Sequence, residues 1–352
     1  MSRALEFDAM QLHLAQIEPP IGPVRLLRPV TGGGAQGARV WQGVLASGTH
    51  VAIKQHAHPG AGDVEYGVLE MLYRLGAPVA RPLLWQPEAR TLITEWTGSR
   101  TLAAAIQETG QRRESQSHEL RRLTHSLVQG CTALETAFQG LAARMPFGAT
   151  GEQERRHMEV RARCRHAPET YERLAGFCGL AIPQGWKSAL RKAWTAVAES
   201  MCSGKTTFGG RDCTPRNVLV DGTEIRFVDF AVVGLDWPEA RLAQYAAAVA
   251  AGATTQPFQT LLTHGEAQWY VDSGCIEIPQ LDMHHLLVWS EVLRLLLDGK
   301  LGVPSSPSNL LGRKLDQAVK LALTPLAPTT PGELVRSLVA TVFVHGSISL
   351  KQ

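Results

Sequence analysis

The hydrophobic and polar positions of the chain change their period along its length. Residues 25–95 contain short apolar runs separated by Gly-rich turns, which predicts β-strands. From about Thr101 to Met201, apolar residues recur at steps of three and four, which predicts helices. A hairpin pattern returns at Asn217–Phe230, and helical periodicity resumes at Pro238–Phe343. The pattern predicts an α+β fold with a β-rich N-terminal lobe and a mostly helical C-terminal lobe that contains an embedded hairpin.

The predicted lobes span residues 1–97 and 98–352, with a helical insert at 98–208. A chain of 352 residues with 44% hydrophobic residues can bury a large core. The formal charge of +3 requires no polyanionic partner, and the basic residues lack interleaved aromatics, so we expect no nucleic-acid partner. The sequence has no apolar run of membrane-spanning length, no signal-peptide core and no C-x-x-C pair among six cysteines. We therefore expect a cytoplasmic protein without a membrane partner.

A Gly-rich segment, Thr31–Gly37, lies between two predicted strands. Glycines allow backbone N–H groups to approach a phosphate closely. The segment does not match a Walker P-loop, because it lacks Gly-Lys-Ser/Thr, and an ordinary turn is the alternative interpretation. The candidate nucleotide contacts are Gly32, Gly33, Gly34 and Gly37.

The next predicted strand, His50–His56, carries a lysine that would face a nucleotide. Alternation along a strand places Val51 and Ile53 on one face, and Ala52 and Lys54 on the other. The strand follows the Gly-rich hairpin after a short turn, so both belong to one small sheet. Ala52 and Lys54 are therefore nucleotide-site candidates, and a solvent-facing lysine on an edge strand is the alternative.

Lys54 needs a carboxylate partner that fixes its long side chain. The following segment predicts a helix that opens near Asp63 and offers Glu65 and Glu70. We favour Glu65, which would lie in the first turn, and interpret Glu70 as part of a solvated face. The predicted apolar stripe of this helix is Val64, Val68, Leu72 and Leu75.

A buried strand, Leu92–Glu95, then runs into an exposed crossing between the lobes. The backbone of Glu95, Trp96 and Thr97 could hydrogen-bond the edge of an adenine. A plain linker between the lobes is the alternative, and it is compatible with that role.

The segment from Gly210 to Phe230 carries the residues expected of a phosphotransfer site. A polar loop delivers Asp212 and Asn217 just before one strand, and a tight hairpin returns Asp229 after the partner strand. Phosphoryl transfer needs a carboxylate that deprotonates the acceptor hydroxyl, and oxygen ligands for Mg²⁺. Asp212 suits the base, and Asn217 with Asp229 suits the metal. Turn capping by the same residue types is the alternative.

Together these motifs resemble the nucleotide site of kinase-like phosphotransferases, and specifically the aminoglycoside phosphotransferase and choline kinase type. The resemblance implies a bilobal protein-kinase-like fold and an ATP-dependent kinase with an alcohol group as acceptor, with Mg²⁺ as cofactor and GTP as a possible alternative to ATP. It implies that Lys54 contacts the phosphates, that Glu65 pairs with it, that Asp212 is the base, and that Asn217 and Asp229 bind Mg²⁺. The short distance from Asp229 to the next helix leaves no room for the long activation segment of protein kinases.

Three features depart from this family pattern. One is that Arg211-Asp212 resembles the Arg-Asp pair of protein kinases but lacks their preceding His. Gly210-Arg211 stands where most of these phosphotransferases have His-Gly, and Arg241 stands where the family usually has an Asp that braces the catalytic loop. Arg211 and Arg241 would then face similar space. We expect an acidic residue to compensate, with Asp236 as the candidate.

The acceptor is the least defined part of the prediction. Aminoglycosides are polycations, but basic residues outnumber acidic ones in the insert, which favours a neutral or anionic acceptor. Asp236, Glu239 and Arg211 are the candidate acceptor contacts. Three hypotheses follow: a kinase of a small molecule, such as an antibiotic or a biosynthetic intermediate; a Ser/Thr kinase that modifies a peptide; and a non-catalytic pseudokinase that binds a partner. The complete set of five predicted nucleotide-site residues argues against the last.

Overall fold

The computed structural model describes most of the chain. The described residues are 10–11, 14, 21–30, 38–110, 116–143, 151–248, 258–263, 267–269, 274, 276–301, 303, 309–327 and 330–343. The predicted phosphate-binding glycines, Gly32, Gly33, Gly34 and Gly37, lie outside them.

The N-terminal region forms a five-stranded antiparallel sheet with the strand order β1-β2-β3-β5-β4. Its strands are β1 (Val24–Pro29), β2 (Arg39–Leu45), β3 (His50–Gln55), β4 (Pro82–Gln86) and β5 (Thr91–Glu95). On β3, Val51 and Ile53 are buried in the core of the sheet, and Ala52 and Lys54 face the opposite side. The predicted alternation of this strand is confirmed.

Helix α1 (Pro59–Arg74) connects β3 to β4 and begins four residues earlier than predicted. Proline is favoured at the first helical position because its missing N–H needs no partner there. The earlier start places Glu65 in the second turn, where it is buried, and leaves Val64 exposed. The predicted stripe was therefore wrong at Val64. The buried face consists of Gly62, Glu65, Val68, Leu69 and Leu72.

The C-terminal region is mostly helical. Its helices are α2 (Leu102–Gly110), α3 (Gln116–Ala142), α4 (Glu152–Phe177), α5 (Trp186–Ser203), α6 (Pro238–Ala246), α7 (Ile278–Leu297), α8 (Asn309–Leu323) and α9 (Thr330–Phe343). Its strands form three antiparallel pairs: β6 (Thr207–Gly210) with β9 (Val233–Asp236), β7 (Val218–Asp221) with β8 (Glu224–Phe227), and β10 (Ala247–Ala248) with β11 (Gln259–Thr260). The embedded hairpin β7–β8 was predicted, and the pairing of β6 with β9 was not.

One hydrophobic cluster joins the two regions. Leu72 of α1 and Leu92 of β5 belong to the same buried cluster as Phe138 of α3, Phe227 of β8 and Phe230. A second cluster lies among the C-terminal helices and contains the fully buried Trp194, Trp237 and Trp289. The predicted two-lobed α+β fold is confirmed. Across the described ranges, the helices lack the combination of length and apolar character that a membrane crossing requires.

Candidate active site

A cavity of about 600 Å³ lies between the sheet and the C-terminal elements. Its walls combine Ala52, Lys54 and Glu65 with the crossing segment Thr94–Gly98, the loop residues Asp212 and Thr214–Asn217, and Asp229. Residues that are distant in the sequence and were assigned to one nucleotide site therefore line one cavity. A concave site that unites charged groups from two regions is a typical ligand-binding site.

Lys54 joins the sheet to the helix and the hairpin. Its Nζ lies 2.7 Å from Glu65 Oε2 and 2.8 Å from Asp229 Oδ1, and its side chain is 14% exposed. Burial lowers the pKa of Lys54, but the neighbouring Glu65 and Asp229 outweigh burial and hold this pKa above its usual value. The charged ammonium therefore persists at neutral pH beside the cavity.

Glu65 is the carboxylate that fixes Lys54. It is 3% exposed, and its Oε2 also lies 3.2 Å from His56 Nε2. Burial raises the pKa of Glu65, but the opposing effect of Lys54 and His56 is larger. The pKa is therefore below its usual value, and the carboxylate is ionised at neutral pH. Glu70, the alternative partner, instead forms an exposed ion pair with Arg74 at 2.6 Å.

Asp229 follows β8 and has an unusual backbone conformation. Its φ of 69° lies in the left-handed region, which aspartate tolerates better than most residues but which still costs about 1 kcal/mol or more. The backbone hydrogen bond of 2.9 Å from Val228 N to Asn217 O holds the end of the hairpin beside residues 211–217, the candidate catalytic loop between β6 and β7. The strained position aims the Asp229 carboxylate at Lys54 and the cavity.

Asp212 lies on the loop between β6 and β7. Asn217 Nδ2 donates a hydrogen bond of 2.9 Å to the carbonyl oxygen of Asp212, and Arg211 N donates one of 3.0 Å to Val232 O. Burial and the charge of Asp229 raise the pKa of the Asp212 carboxyl. A carboxylate with a raised pKa is a better proton acceptor than an ordinary one.

The oxygen groups of this wall fit a hard divalent cation. The amide nitrogen of Asn217 is engaged with Asp212 O, which orients the side chain and leaves its oxygen as a candidate ligand. Asp229 supplies a carboxylate that is 19% exposed towards the cavity. Such oxygens are the ligands that Mg²⁺ prefers, and a cation would offset the repulsion between Asp212 and Asp229.

The crossing segment Glu95–Thr97 also lines the cavity. Two of its backbone donors are already engaged, since Glu95 N bonds to Arg81 O at 2.9 Å and Trp96 N to His50 O at 3.1 Å. An adenine contact from this segment would therefore use its carbonyl groups or the backbone of Thr97.

The structure places the three candidate acceptor contacts away from the described lining of the cavity. Asp236 is buried and ion-paired with Arg156 at 2.5 Å. Glu239 accepts a hydrogen bond from Glu277 N at 3.0 Å. Arg211 donates to Glu159 at 3.2 Å. Each of the three is thus engaged by protein groups.

Arg241 is compensated by a residue that the sequence analysis did not identify. Its Nε and Nη2 donate bidentate hydrogen bonds of 2.6 Å to both carboxylate oxygens of Glu135 on α3. Arg241 also donates to the hydroxyl and carbonyl oxygens of Thr207 and to the carbonyl of Asp236. The prediction that the Asp236 side chain compensates was wrong, because that carboxylate pairs with Arg156.

The cavity continues to a distal end that the sequence analysis did not place beside the nucleotide site. We use this name for Arg163 of α4 together with the α7 residues Val288, Glu291, Val292 and Leu295 and the following Leu301. Arg163 Nε donates to Glu291 Oε1 at 2.8 Å. The sequence predicts helices in this part of the chain, but no local signal pairs residues that are 128 positions apart.

A family model covers this part of the chain. The model of the phosphotransferase enzyme family matches residues 32–273, which include the Lys54, Asp212 and Asp229 positions. No curated protein sequence gives a significant match.

Several solved structures share the fold. A macrolide 2′-phosphotransferase from Brachybacterium faecium has 16% identity and a TM-score of 0.52, with 86% of this chain and 100% of that chain covered. A choline/ethanolamine kinase family protein from Mesorhizobium loti has 13% identity and a TM-score of 0.51, with coverages of 95% and 99%. An amicoumacin kinase in complex with AMP-PNP, Ca²⁺ and Ami has 14% identity and a TM-score of 0.51, with coverages of 95% and 100%. At these identities the likeness concerns the fold.

Proposed function

This chain belongs to the phosphotransferase enzyme family, and on that premise we propose that it transfers the γ-phosphoryl group of ATP to a hydroxyl of a small molecule. The observation that carries the proposal is the position of Lys54. Its ammonium contacts Glu65 and Asp229 on a cavity wall that Asp212 and Asn217 share. The family and this arrangement together support phosphoryl transfer over simple binding.

We assign the nucleotide to the part of the cavity next to the sheet. Lys54, held by Glu65, would bind the phosphates, and Ala52 with the crossing segment Glu95–Thr97 would contact the base. Asn217 and Asp229 would hold Mg²⁺, which supplies charge neutralisation for the phosphates when bound. GTP remains an alternative donor.

Asp212 is the proposed base. It accepts the proton of the acceptor hydroxyl as the hydroxyl oxygen bonds to the γ-phosphorus. The bond between that phosphorus and the β–γ bridging oxygen breaks, and ADP leaves with the electron pair. Burial and Asp229 raise the pKa of Asp212, which suits this proton transfer. Catalysis then depends mainly on positioning and on charge neutralisation.

Thermal melting with nucleotide tests the first part of the proposal. Wild type should gain stability with Mg²⁺ and ATP together, because a ligand that binds only the folded state must stabilise it. The gain should vanish in Asp229→Asn and persist in Asp221→Asn, an exposed aspartate of the same hairpin. Absence of a shift in wild type at millimolar ATP or GTP would refute the nucleotide site.

Release of ADP with candidate acceptors tests the second part. The kinases among the similar structures are named for small molecules, and nothing in the comparisons supports the peptide alternative. A non-catalytic pseudokinase would bind Mg·ATP without acceptor-dependent ADP release. Acceptor-dependent release that Asp212→Asn abolishes would establish the enzyme.

A further inference from the structure

The ion pair between Arg163 and Glu291 forms a wall shared by two cavities. The first is the candidate active site, and the second, of about 370 Å³, lies between α4 and α7. The second cavity is also lined by Arg173 of α4 and Arg294 of α7. A charged pair at the end of a reaction cavity is in a position to contact the part of an acceptor that does not react.

Arg163 is held in place with its terminal nitrogens unengaged. Its Nε donates to Glu291 Oε1, and the side chain is 31% exposed. In the described part of the chain, its Nη1 and Nη2 have no hydrogen-bond partner. A guanidinium fixed through Nε presents its two terminal nitrogens as a planar donor pair, which matches the two oxygens of a carboxylate or phosphate group.

The charge of the surroundings favours an anion. Between Glu159 and Glu169, helix α4 carries Arg161, Arg163 and Arg165 and no acidic residue. Glu291 offsets one of these charges. Behind the pair, Arg173 and Arg294 contact one common acid, Asp298, at 3.0 and 3.4 Å. Arg161 and Arg165 line neither cavity, but the lining of the second cavity contains Arg163, Arg173 and Arg294 against Glu169 and Glu291. Basic side chains outnumber acidic ones in this lining, which disfavours a polycationic acceptor.

The remaining lining of the distal end is aliphatic. Val288, Val292 and Leu295 lie on one face of α7, and Leu301 follows that helix. Aliphatic side chains gain free energy when they cover an apolar ligand surface. The part of the acceptor between the reacting hydroxyl and Arg163 is thus expected to be apolar.

We propose that the acceptor is an amphipathic hydroxyl compound with an apolar body and one oxyanion group, which binds the terminal nitrogens of Arg163. The proposal rests on the proposed function, since it places the reacting hydroxyl at Asp212. Arg163 is then the residue that selects the charge of the acceptor.

Three probes of equal chain length test this charge preference. They are ω-hydroxyoctanoate, which is anionic, octanediol, which is neutral, and ω-aminooctanol, which is cationic. Binding is measured by calorimetry without nucleotide, so the result does not depend on catalysis. ω-Hydroxyoctyl phosphate serves as a fourth probe that separates a carboxylate preference from a phosphate preference. Wild type should bind one of the two anionic probes at least about tenfold more tightly than the diol.

The variants locate the effect at Arg163. Arg163→Gln should weaken binding of the anionic probe by about 10- to 100-fold, because it loses a charge-assisted pair of hydrogen bonds. Arg163→Lys keeps the charge but loses the planar donor pair, so its loss should be smaller. Arg163→Glu should favour ω-aminooctanol. Arg165→Gln is the matched control, since Arg165 is exposed on the same helix and lines neither cavity.

The outcomes separate this inference from the proposed function. The Mg·ATP melting shift should be the same in wild type and in every Arg163 variant. Anion binding without a nucleotide shift would support the distal site and refute the proposed function. If a nucleotide shift is present and the probes bind equally, if the cationic probe binds best, or if Arg163→Gln binds the anion as wild type does, the inference is overturned.

Discussion

Two charged clusters flank the catalytic loop, and they differ in what their donors contact. The Lys54 cluster (Lys54, Glu65 and Asp229) faces the cavity, and both Lys54 and Asp229 retain some exposure. The Arg241 cluster (Arg241, Glu135 and Thr207) lies behind the loop, and Arg241 is 2% exposed. All three nitrogens of Arg241 donate to protein oxygens.

The difference separates a binding group from a structural one. A charged side chain that lines a cavity and is partly exposed can exchange a protein partner for a ligand group when the ligand binds. A fully buried arginine with every nitrogen engaged is held by its neighbours and holds them in turn. Gly209 supports this role, because a Cβ there would lie 2.8 Å from the guanidinium carbon of Arg241. The Arg241 cluster therefore fixes β6 at the start of the catalytic loop.

Removal of the proposed base should produce the largest functional effect. Asp212→Asn should lower kcat by about 100- to 10,000-fold, which is the usual contribution of a general base. It should not lower the melting temperature, because the raised pKa of Asp212 means that its charge disfavours the folded state at neutral pH. Steady-state ADP release and melting in parallel measure both effects. Full activity in this variant would contradict the assignment.

Breaking the Arg241 cluster should mainly cost stability. Glu135→Gln or Arg241→Met should each lower the free energy of unfolding by about 3 to 5 kcal/mol, because one change leaves the other charge buried without its partner. Urea unfolding measures this loss. The double variant should lose clearly less free energy of unfolding than the sum of the losses of the two single variants. Additive losses would show that the pair is not coupled.

Lys54 should show the opposite balance of effects. Lys54→Met should remove most of the Mg·ATP melting shift, and its stability loss should be smaller than that of the Arg241 variants. The reason is that the buried Glu65 would keep His56 Nε2 at 3.2 Å and Asp229 is 19% exposed, whereas Glu135 would keep the Thr207 hydroxyl at 3.3 Å. Melting with and without Mg·ATP measures both quantities. An unchanged nucleotide shift would remove the distinction between the clusters.

The smallest expected effect concerns pH. Asp212 acts only when it is ionised, so kcat should fall as the pH falls through its pKa. Burial raises that pKa, and bound Mg²⁺ would offset the contribution of Asp229, so burial should place the acid limb of the profile above the range of an ordinary aspartate. A pH profile of kcat measures the limb. An acid limb that reports a pKa at or below that of an ordinary aspartate would contradict the proposed environment of Asp212.

The sequence was most informative where a role depends on nearby residues. Strand alternation predicted the faces of Val51 and Lys54, and a loop followed by a hairpin predicted that Asp212 and Asp229 lie close together. The start of α1 was misjudged because the segment before Asp63 contains Pro59 and two glycines, which also suit a loop. The preference for proline at the first helical position, which the prediction did not apply, marks that boundary.

The sequence was least informative where a role depends on a distant partner. The partner of Arg241 is 106 positions away, and the partner of Arg163 is 128 positions away. Glu135 had no distinguishing local pattern, because it lies within a helix that was predicted from its apolar positions. The departure of Arg241 from the family pattern suggested Asp236 as the compensating acid, but the structure brings Arg156 against that carboxylate.

Helix α4 links two parts of the molecule that natural selection could otherwise alter separately. Arg156 and Glu159 contact Asp236 and Arg211 beside the catalytic loop, and Arg163 reaches the distal end. Seven residues of α-helix separate Arg156 from Arg163, which is about 10 Å along one rigid axis. Exchange of the side chain at position 163 would change the distal end, where we propose that the acceptor binds, and leave the contacts of the loop in place. An insertion or deletion between the two positions would rotate Arg163 away from the cavity or displace the contacts of the loop. Diversification of acceptors on this scaffold should therefore proceed by substitution within α4, with its length conserved.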